Sequence, residues 1–175
     1  MRYFTSDLHF GHKGIIEYCK RPFASVQENI DFFIEEINSL PADSELWILG
    51  DYSFLGVEKT LEITQQLLPK ITIVRGNHDR SNVMKRLGEN GVTVLDTHDT
   101  QIDFLNVTVS HYPFRDDRYP ERCPKDDGRV VVHGHIHAAR GIARRQVNVG
   151  WDYWHRFLNE EEVGDMITQS RHYAM

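Results

Sequence analysis

Five places in the chain share a pattern in which a short apolar run stops abruptly at side chains able to bind a cation or move a proton. Ile71-Thr72-Ile73-Val74 and Arg75 lead into Gly76-Asn77-His78-Asp79, and Tyr3-Phe4-Thr5-Ser6 leads into Asp7-Leu8-His9. Leu46-Trp47-Ile48-Leu49 leads into Gly50-Asp51, Val107-Thr108-Val109-Ser110 into His111, and Val130-Val131-Val132 into His133-Gly134-His135-Ile136-His137. A β-rich run ending in Gly, Asn, His and Asp reads as a buried strand that delivers polar side chains to a sheet edge. Active sites of open α/β sheets collect at such edges. One ending of this kind is ordinary, whereas five in one small chain point to a single convergent cluster.

The side chains at these endings are Asp7, His9, Asp51, Asn77, His78, His111, His135 and His137. Imidazoles and carboxylates without thiolates suit Mn, Fe, Zn or Ni, with manganese placed first here, while an all-oxygen set would suit Mg or Ca. The set is too large for one tetrahedral ion. Two five- or six-coordinate ions sharing a carboxylate would use seven of these groups and leave one for proton transfer. Taken singly, each Asp or His reads first as a polar cap on a turn. Taken jointly, so many acids and imidazoles at one edge would crowd unpaired charge unless a cation were present.

The elements that must position these groups follow from periodicity and punctuation. Strands are expected at Arg2–Ser6, with no leader before it and therefore inside the sheet, and at Glu45–Leu49, Ile71–Val74 and Val92–Leu95. Between them lie a short helix at Ile15–Tyr18, an amphipathic helix carrying Ile30, Phe33, Ile34, Ile37 and Leu40 behind a Ser25/Glu28 capping box, and helices at Val57–Leu68 and Asn82–Leu87. That alternation predicts parallel strands with right-handed crossovers. The second half reads as antiparallel. Thr100–Phe104 and Val107–Ser110 look like a hairpin turning near Leu105-Asn106, Pro113–Gly128 like a surface loop beside the site, and Arg129–Val132 and Gln146–Val149 like further strands. Asn159 and Glu162 predict a capped last helix to about Ser170.

At 175 residues with 40% hydrophobic and 26% charged side chains, the chain is expected to form one domain, residues 1–175, with its own core. A net charge of -6 argues against a broad phosphate-binding surface, so extended nucleic-acid binding is disfavoured. Arg140, Arg144 and Arg145, and Arg115 with Arg118, read as solvated surface charge. Two distant cysteines, Cys19 and Cys123, disfavour a disulfide framework and a zinc-ribbon site and fit a reducing compartment. No run is long and apolar enough for a membrane span, so a cytoplasmic protein is expected.

The ordered blocks Asp7-Leu8-His9, Gly50-Asp51, Gly76-Asn77-His78-Asp79, His111 and Gly134-His135-Ile136-His137 resemble those of the calcineurin-like metallophosphoesterases, and Asn148-Val149-Gly150 looks like the family's closing strand. The opening Asp7-Leu8-His9-Phe10-Gly11-His12 looks like a small bacterial or phage-type branch. The resemblance implies a four-layer α/β/β/α sandwich with two mixed sheets. It implies Asp7, His9 and His137 around one divalent metal, Asn77, His111 and His135 around a second, and Asp51 bridging both. The implied reaction is hydrolysis of a phosphomonoester or phosphodiester, including cyclic or other small nucleotides, by metal-activated hydroxide. His78 is then the acid or hydrogen-bond donor on the leaving-group side, with Asp79 orienting it. Arg80, Arg115 and His12 stand close enough in sequence to contact substrate phosphate, against the plainer reading of local turn and surface contacts. Trp151, Tyr153 and Trp154 read as core closure before base stacking. Departures are Tyr52-Ser53-Phe54 after the Gly-Asp pair, where many members carry acids, and the absence of room for a cap domain. The alternatives are a non-catalytic binding or scaffold protein on the same fold, marked by eroded ligands that are not found, and a nuclease acting on nucleic-acid ends.

Overall fold

Four strands run parallel in the first sheet of the computed structural model, which describes residues 1–173. They are β1 (Arg2–Thr5), β2 (Glu45–Ile48), β3 (Lys70–Val74) and β4 (Thr93–Leu95), paired in that order. β2 and β3 are nearly continuous apolar runs because both of their faces are covered. Leu46 and Ile48 face a core shared with the helices, alongside Phe33, Ile37 and Leu61, while Trp47 and Leu49 face a second core with Val109, Val132 and Val147.

The second sheet contains β5 (His98–Ile102), β6 (Leu105–Val109), β7 (Val130–His133), β8 (Ile142–Ala143) and β9 (Gln146–Asn148), in the order β5-β6-β7-β9-β8. β10 (Leu158–Asn159) adds antiparallel to β1, which therefore lies inside its sheet. Both sheets are thus mixed, and the expectation of an antiparallel second half is corrected: β6 pairs with β7, and β7 with β9, in parallel. The long segment 110–129 lets the chain cross back before β7, a route a short hairpin link does not allow. The hairpin turn is also displaced. It falls at Asp103-Phe104, both at positive φ (46° and 63°), as a two-residue hairpin turn requires, and not at Leu105-Asn106.

The helices are α1 (Lys13–Tyr18), α2 (Val26–Asn38), α3 (Val57–Thr64), α4 (Ser81–Glu89), α5 (Trp151–Trp154) and α6 (Glu160–Arg171). Ser25 Oγ accepts the Glu28 N–H at 3.1 Å, but the Glu28 carboxylate accepts from Ala24 N–H at 2.7 Å, so the reciprocal half of the box is shifted by one residue. α3 ends at Thr64, short of the expected Leu68. Three-residue turns from Gln66 N–H to Ile63 C=O and Leu67 N–H to Thr64 C=O tighten the chain ahead of Pro69. Asn159 and Glu162 complete a reciprocal cap on α6. α6 runs from the Asp103 turn, which meets Gly164, to the β8–β9 turn, where Arg145 N–H donates to Ser170 C=O. Its Val163 and Ile167 seal the core between the sheets. Two mixed sheets flanked by helices are the architecture expected. Cys19 and Cys123 are free thiols, and among the described residues no helix is long and apolar enough to cross a membrane.

Candidate dinuclear metal centre

The parallel strands β1, β2, β3, β6 and β7 all deliver their C-terminal ends to one edge, where neighbouring strand ends within each sheet stay joined by backbone bonds. Asp7 N–H donates to Gly50 C=O at 3.0 Å, His9 N–H to Asp51 C=O at 2.9 Å and Gly134 N–H to His111 C=O at 3.1 Å. Beyond each strand the chain turns sharply. Of ten non-glycine residues with positive φ among the described residues, five are Asp7, His9, Asp51, His135 and His137. A left-handed backbone costs an ordinary residue on the order of 1 kcal/mol, so its concentration in these five side chains marks a site and not a packing accident. Two motif glycines are fixed by crowding. A Cβ on Gly76 would lie 2.2 Å from Asp51 Oδ1, and one on Gly134 would lie 2.3 Å from Ser6 Oγ and 2.7 Å from Asp7 Oδ2.

Asp7 and Asp51 each have one carboxylate oxygen pinned and the other aimed inward. Asp7 Oδ2 accepts from Ser6 Oγ (2.5 Å) and His135 N–H (3.0 Å), leaving Oδ1 facing His9 Nε2 at 3.7 Å and His137 Nε2 at 3.9 Å. Asp51 Oδ1 accepts the His78 N–H at 2.9 Å, leaving Oδ2 at 3.5 Å from His111 Nε2, 3.7 Å from His9 Nε2 and 4.0 Å from His78 Nε2. The imidazoles are pinned likewise. His111 Nδ1–H donates to Leu49 C=O at 2.8 Å, His135 Nε2–H to Asp116 Oδ2 at 2.7 Å and His137 Nδ1–H to Asp152 Oδ2 at 2.7 Å.

These assignments turn the remaining ring nitrogens into bare lone pairs that face one another. His111 Nε2 stands 3.1 Å from both His135 Nδ1 and Asn77 Oδ1, three acceptors with no proton between them. Asp7 Oδ1 and both His9 nitrogens are buried without any hydrogen-bond partner. Converging acceptors repel unless a cation lies among them, so the donor set fits divalent metal on either side of Asp51. Asp7, His9 and His137 form one group whose ligand atoms lie within 4.8 Å of one another, and Asp7, Asp51 and His111 form another.

The whole of this edge falls within a match to the calcineurin-like phosphoesterase superfamily domain over residues 3–175. The chain belongs to this superfamily. It is 28% identical to the Gene 66 protein of Mycobacterium phage L5, with 94% of this chain and 93% of the phage protein covered. It is 31% identical to the uncharacterized protein MJ1445 of Methanocaldococcus jannaschii, covering 78% and 69% of the two chains. A protein of unknown function from Aquifex aeolicus, AQ665, superposes with a TM-score of 0.74 at 25% identity over 95% of this chain and 99% of its own.

The calcineurin-like edge rests on a second layer of residues, of which Arg21, Asp116 and Asp152 lie outside every motif block. Arg21, with its side chain fully buried, donates Nε and Nη2 to the two oxygens of Asp152 (2.7 and 3.0 Å), Nη2 to Asp7 C=O (2.5 Å), and Nη1 to Leu8 C=O (3.0 Å) and Asn29 Oδ1 (3.2 Å). Its guanidinium also lies against Phe33 and Trp151. Asp152 in turn orients His137, Asp116 orients His135, and Asn148 Nδ2 holds the carbonyls of His137 (2.7 Å) and Arg140 (2.9 Å). Cys19 also lies beside His137 and Asp152. Asp79 belongs with this layer. The expected contact with His78 is not made; its carboxylate accepts from Asp51 N–H (2.9 Å), Tyr52 N–H (2.9 Å) and Gly76 N–H (2.8 Å), tying the two turns together.

The other expected site residues separate. His78 stands at the rim, its side chain 45% exposed and packed on Phe54. His12 stacks on the same Phe54 ring, centroids 4.1 Å apart, and sits 5.5 Å from His9. Arg80 donates Nη2 to the carbonyls of Phe54 and Leu55 (2.7 and 2.6 Å), which commits that nitrogen to bracing the rim loop. Arg115 lies away from the ligands, in a cleft on the outer face of the second sheet. Trp151 is core, packed on Phe23, Phe32 and Phe33.

Burial governs most of the titration of the edge, except at His137, where burial is outweighed by the hydrogen bond to Asp152, with Cys19 and Asp7 adding to it, and the ring is pushed up to about 11. Burial drives His9 down to about 4, against the pull of Asp7, and His133 down to about 4 as well. His135 is lowered by burial and by His111 beside it. Asp51 is raised to about 7 by burial, with Asp7 nearby adding to it and His111 opposing. Burial would raise Asp7 too, but the imidazoles of His9, His137 and His111 hold it far below the ordinary range. For metal-free protein these shifts fix a sign. Below about pH 6.5 the unfolded chain protonates His9 and His133 while the folded chain does not, until about pH 4. Asp51 works in the opposite direction between its ordinary 3.8 and about 7, where the folded chain holds the extra proton. His137 joins Asp51 in opposing the two imidazoles near pH 6.5 but is protonated in both states at lower pH, so below about pH 6 the two imidazoles outweigh one carboxyl and stability should fall with acid. The urea midpoint in chelator is expected to drop from about pH 6 to 4.5; a flat or rising midpoint there would contradict the neutral burial of these rings.

Proposed function

We propose that the chain is a dinuclear, divalent-metal-dependent phosphoesterase that hydrolyses small phosphomonoesters or phosphodiesters, nucleotides among them, in a reducing compartment such as the cytoplasm. The reading is carried by one observation, the two sets of bare lone pairs meeting at Asp51 Oδ2. Asp7, His9 and His137 would hold one cation, Asn77, His111 and His135 the other, with Asp51 between them. Bound there, the two cations supply Lewis-acid stabilisation of the phosphoryl oxygens and acidify water for attack. Nitrogen and oxygen donors without thiolate make manganese the first metal to test.

The chain's own residues complete the chemistry. Pinned oxygens and ring nitrogens hold the donor geometry before substrate arrives, so little reorganisation is needed at the moment of reaction. His78 reaches over the rim on the Phe54 platform, 4.0 Å from Asp51 Oδ2, where its Nε2–H can donate to the departing oxygen. His12 and Phe54 wall the same side and restrict water there.

Hydrolysis of 4-nitrophenyl phosphate and bis(4-nitrophenyl) phosphate with Mn²⁺ separates monoesterase from diesterase action. Turnover of neither with any divalent metal would count against the proposal. His78→Ala is expected to keep its metal content and to lose about a hundredfold in turnover on alkyl esters, with a smaller loss on nitrophenyl esters that leave without help. Equal losses on both, or a parallel loss of bound metal, would remove His78 from the leaving-group side.

A further inference from the structure

A cleft of about 550 Å³ opens on the outer face of the second sheet, lined by His133 and Gln146 from the strands, Phe114 and Arg115 from the 113–128 segment, and Arg140 and Arg144 from the stretch after His137. Folding thus joins two basic stretches that are far apart in sequence. The cleft's acid, Asp126, is already matched by Arg145 through two bonds of 2.6 Å. Among the described residues no carboxylate comes within ion-pair reach of Arg115, Arg140 or Arg144, although the chain as a whole carries a charge of -6. Three unmatched guanidinium groups around one concavity are therefore a local feature and not the general surface.

The cleft and the metal-ligand edge share a strip of backbone. His133 and Ile136 line the cleft, while His135 between them and His137 beyond them belong to the ligand set. Arg115 is followed directly by Asp116, which orients His135. The cleft wall and part of the ligand set are thus carried on one continuous stretch of chain, residues 133–137. Gln146 Oε1 accepts the Phe114 N–H at 2.9 Å, which sets the wall of the cleft. The volume falls in the range of ligand pockets, roughly 300–1,000 Å³, and guanidinium forks match phosphate geometry.

We propose that this cleft binds a second phosphate of the substrate, so that the preferred ester is a nucleotide-type molecule carrying one phosphate to be cut and another to be held. The proposal rests on the phosphoesterase reading above and narrows its substrate class. Three cations suffice for one extra phosphate but not for the extended backbone of a duplex, which needs a continuous basic track.

The test compares a dinucleotide with and without a 5′-phosphate. The wild-type protein with Mn²⁺ should favour the phosphorylated form by about tenfold or more in kcat/KM, chiefly through KM, since charge-assisted bonds are the strong ones. Arg140→Gln/Arg144→Gln should erase that preference. No preference in the wild type, or a preference retained in the double variant, would overturn the proposal. A 5′-phosphorylated ten-residue single strand run alongside separates the two sources of such a phosphate: faster cutting than the dinucleotide assigns strand ends, and slower cutting assigns small molecules. A binding arm needs no catalysis. Inorganic pyrophosphate titrated into chelator-treated protein should shift the arginine side-chain NMR signals saturably, and the double variant should not respond. If no ester is cut with any metal but pyrophosphate binds, the phosphoesterase reading fails and the anion cleft stands. If esters are cut but pyrophosphate leaves those signals unmoved, the cleft proposal fails alone.

Discussion

Asp51→Asn is expected to lower metal-dependent turnover of bis(4-nitrophenyl) phosphate by at least about three orders of magnitude while leaving the fold standing. The asymmetry follows from how the two oxygens are used. Oδ1 accepts the His78 N–H, a bond that an amide oxygen preserves. Oδ2 faces the ring nitrogens of His111, His9 and His78, and in the variant an NH2 donor takes its place. That group would satisfy lone pairs that otherwise converge without a proton, and it would remove a carboxyl that burial already pushes up to about 7. Metal-free Asp51→Asn should therefore be at least as stable at pH 7 as metal-free wild type, even as it loses the negative charge that the proposed bridging role requires. Elemental analysis should show bound metal falling from two equivalents to one or none. A variant that kept two equivalents and wild-type turnover would sink the bridging role.

The parts of this site that could be read from the sequence were those in which local pattern and chemistry coincide. A buried parallel strand must be an apolar run, and it must stop where the chain leaves the sheet. Val74 before Gly76-Asn77-His78 and Val132 before His133-Gly134-His135 therefore mark both the strand and the side chains at its end. The layer beneath gives no such signal. A buried arginine has no local signature, so Arg21 reads as one surface charge among many until Asp152 and the carbonyls of Asp7 and Leu8 are brought against it. Asp152 offered a faint clue as a carboxylate amid Trp151, Tyr153 and Trp154, but α5 is only four residues long and shows no period. Asp116 lies in a segment without regular structure, so its pairing with His135 depends wholly on tertiary placement.

The second sheet was misread for a similar reason. The choice between parallel and antiparallel pairing of β6 with β7 is made by segment 110–129, which carries no helix to announce a crossover. The turn at Asp103-Phe104 was misplaced because no glycine marks it, and Phe104 adopts a left-handed backbone that aromatic residues seldom take. Asp79 shows the limit of a motif. Its position in Gly76-Asn77-His78-Asp79 suggested a partner for His78, yet a short carboxylate facing three nearby backbone N–H groups is better satisfied by them.

Arg21→Met should be among the most damaging single changes in the molecule, costing about 3–5 kcal/mol in the chelated protein, where loss of bound metal cannot contribute. The substitution keeps the apolar stem against Phe33 and Trp151 but leaves Asp152, buried to 1% side-chain exposure, with only His137 as a charged partner, and leaves the carbonyls of Asp7 and Leu8 without donors. Arg21→Lys restores a charge but not the planar fork that reaches both oxygens of Asp152 while bonding two carbonyls, so it should recover only part of the loss. Combining Arg21→Met with Asp152→Asn should cost clearly less than the two changes added, because the second removes a buried charge that has already lost its guanidinium. The same geometry predicts a separate effect on metal. Asp152 fixes the His137 ring that faces Asp7 Oδ1, and displacement of such a partner weakens metal binding by about ten- to a hundredfold. A variant as stable as wild type within about 0.5 kcal/mol, or one with unchanged metal affinity, would mean that the strand-end turn of β1 holds its shape without Arg21. The left-handed backbone at Asp7 and His9 argues otherwise, since strained turns persist only where surrounding contacts over-determine them, and Arg21 holds the carbonyls of Asp7 and Leu8 between them.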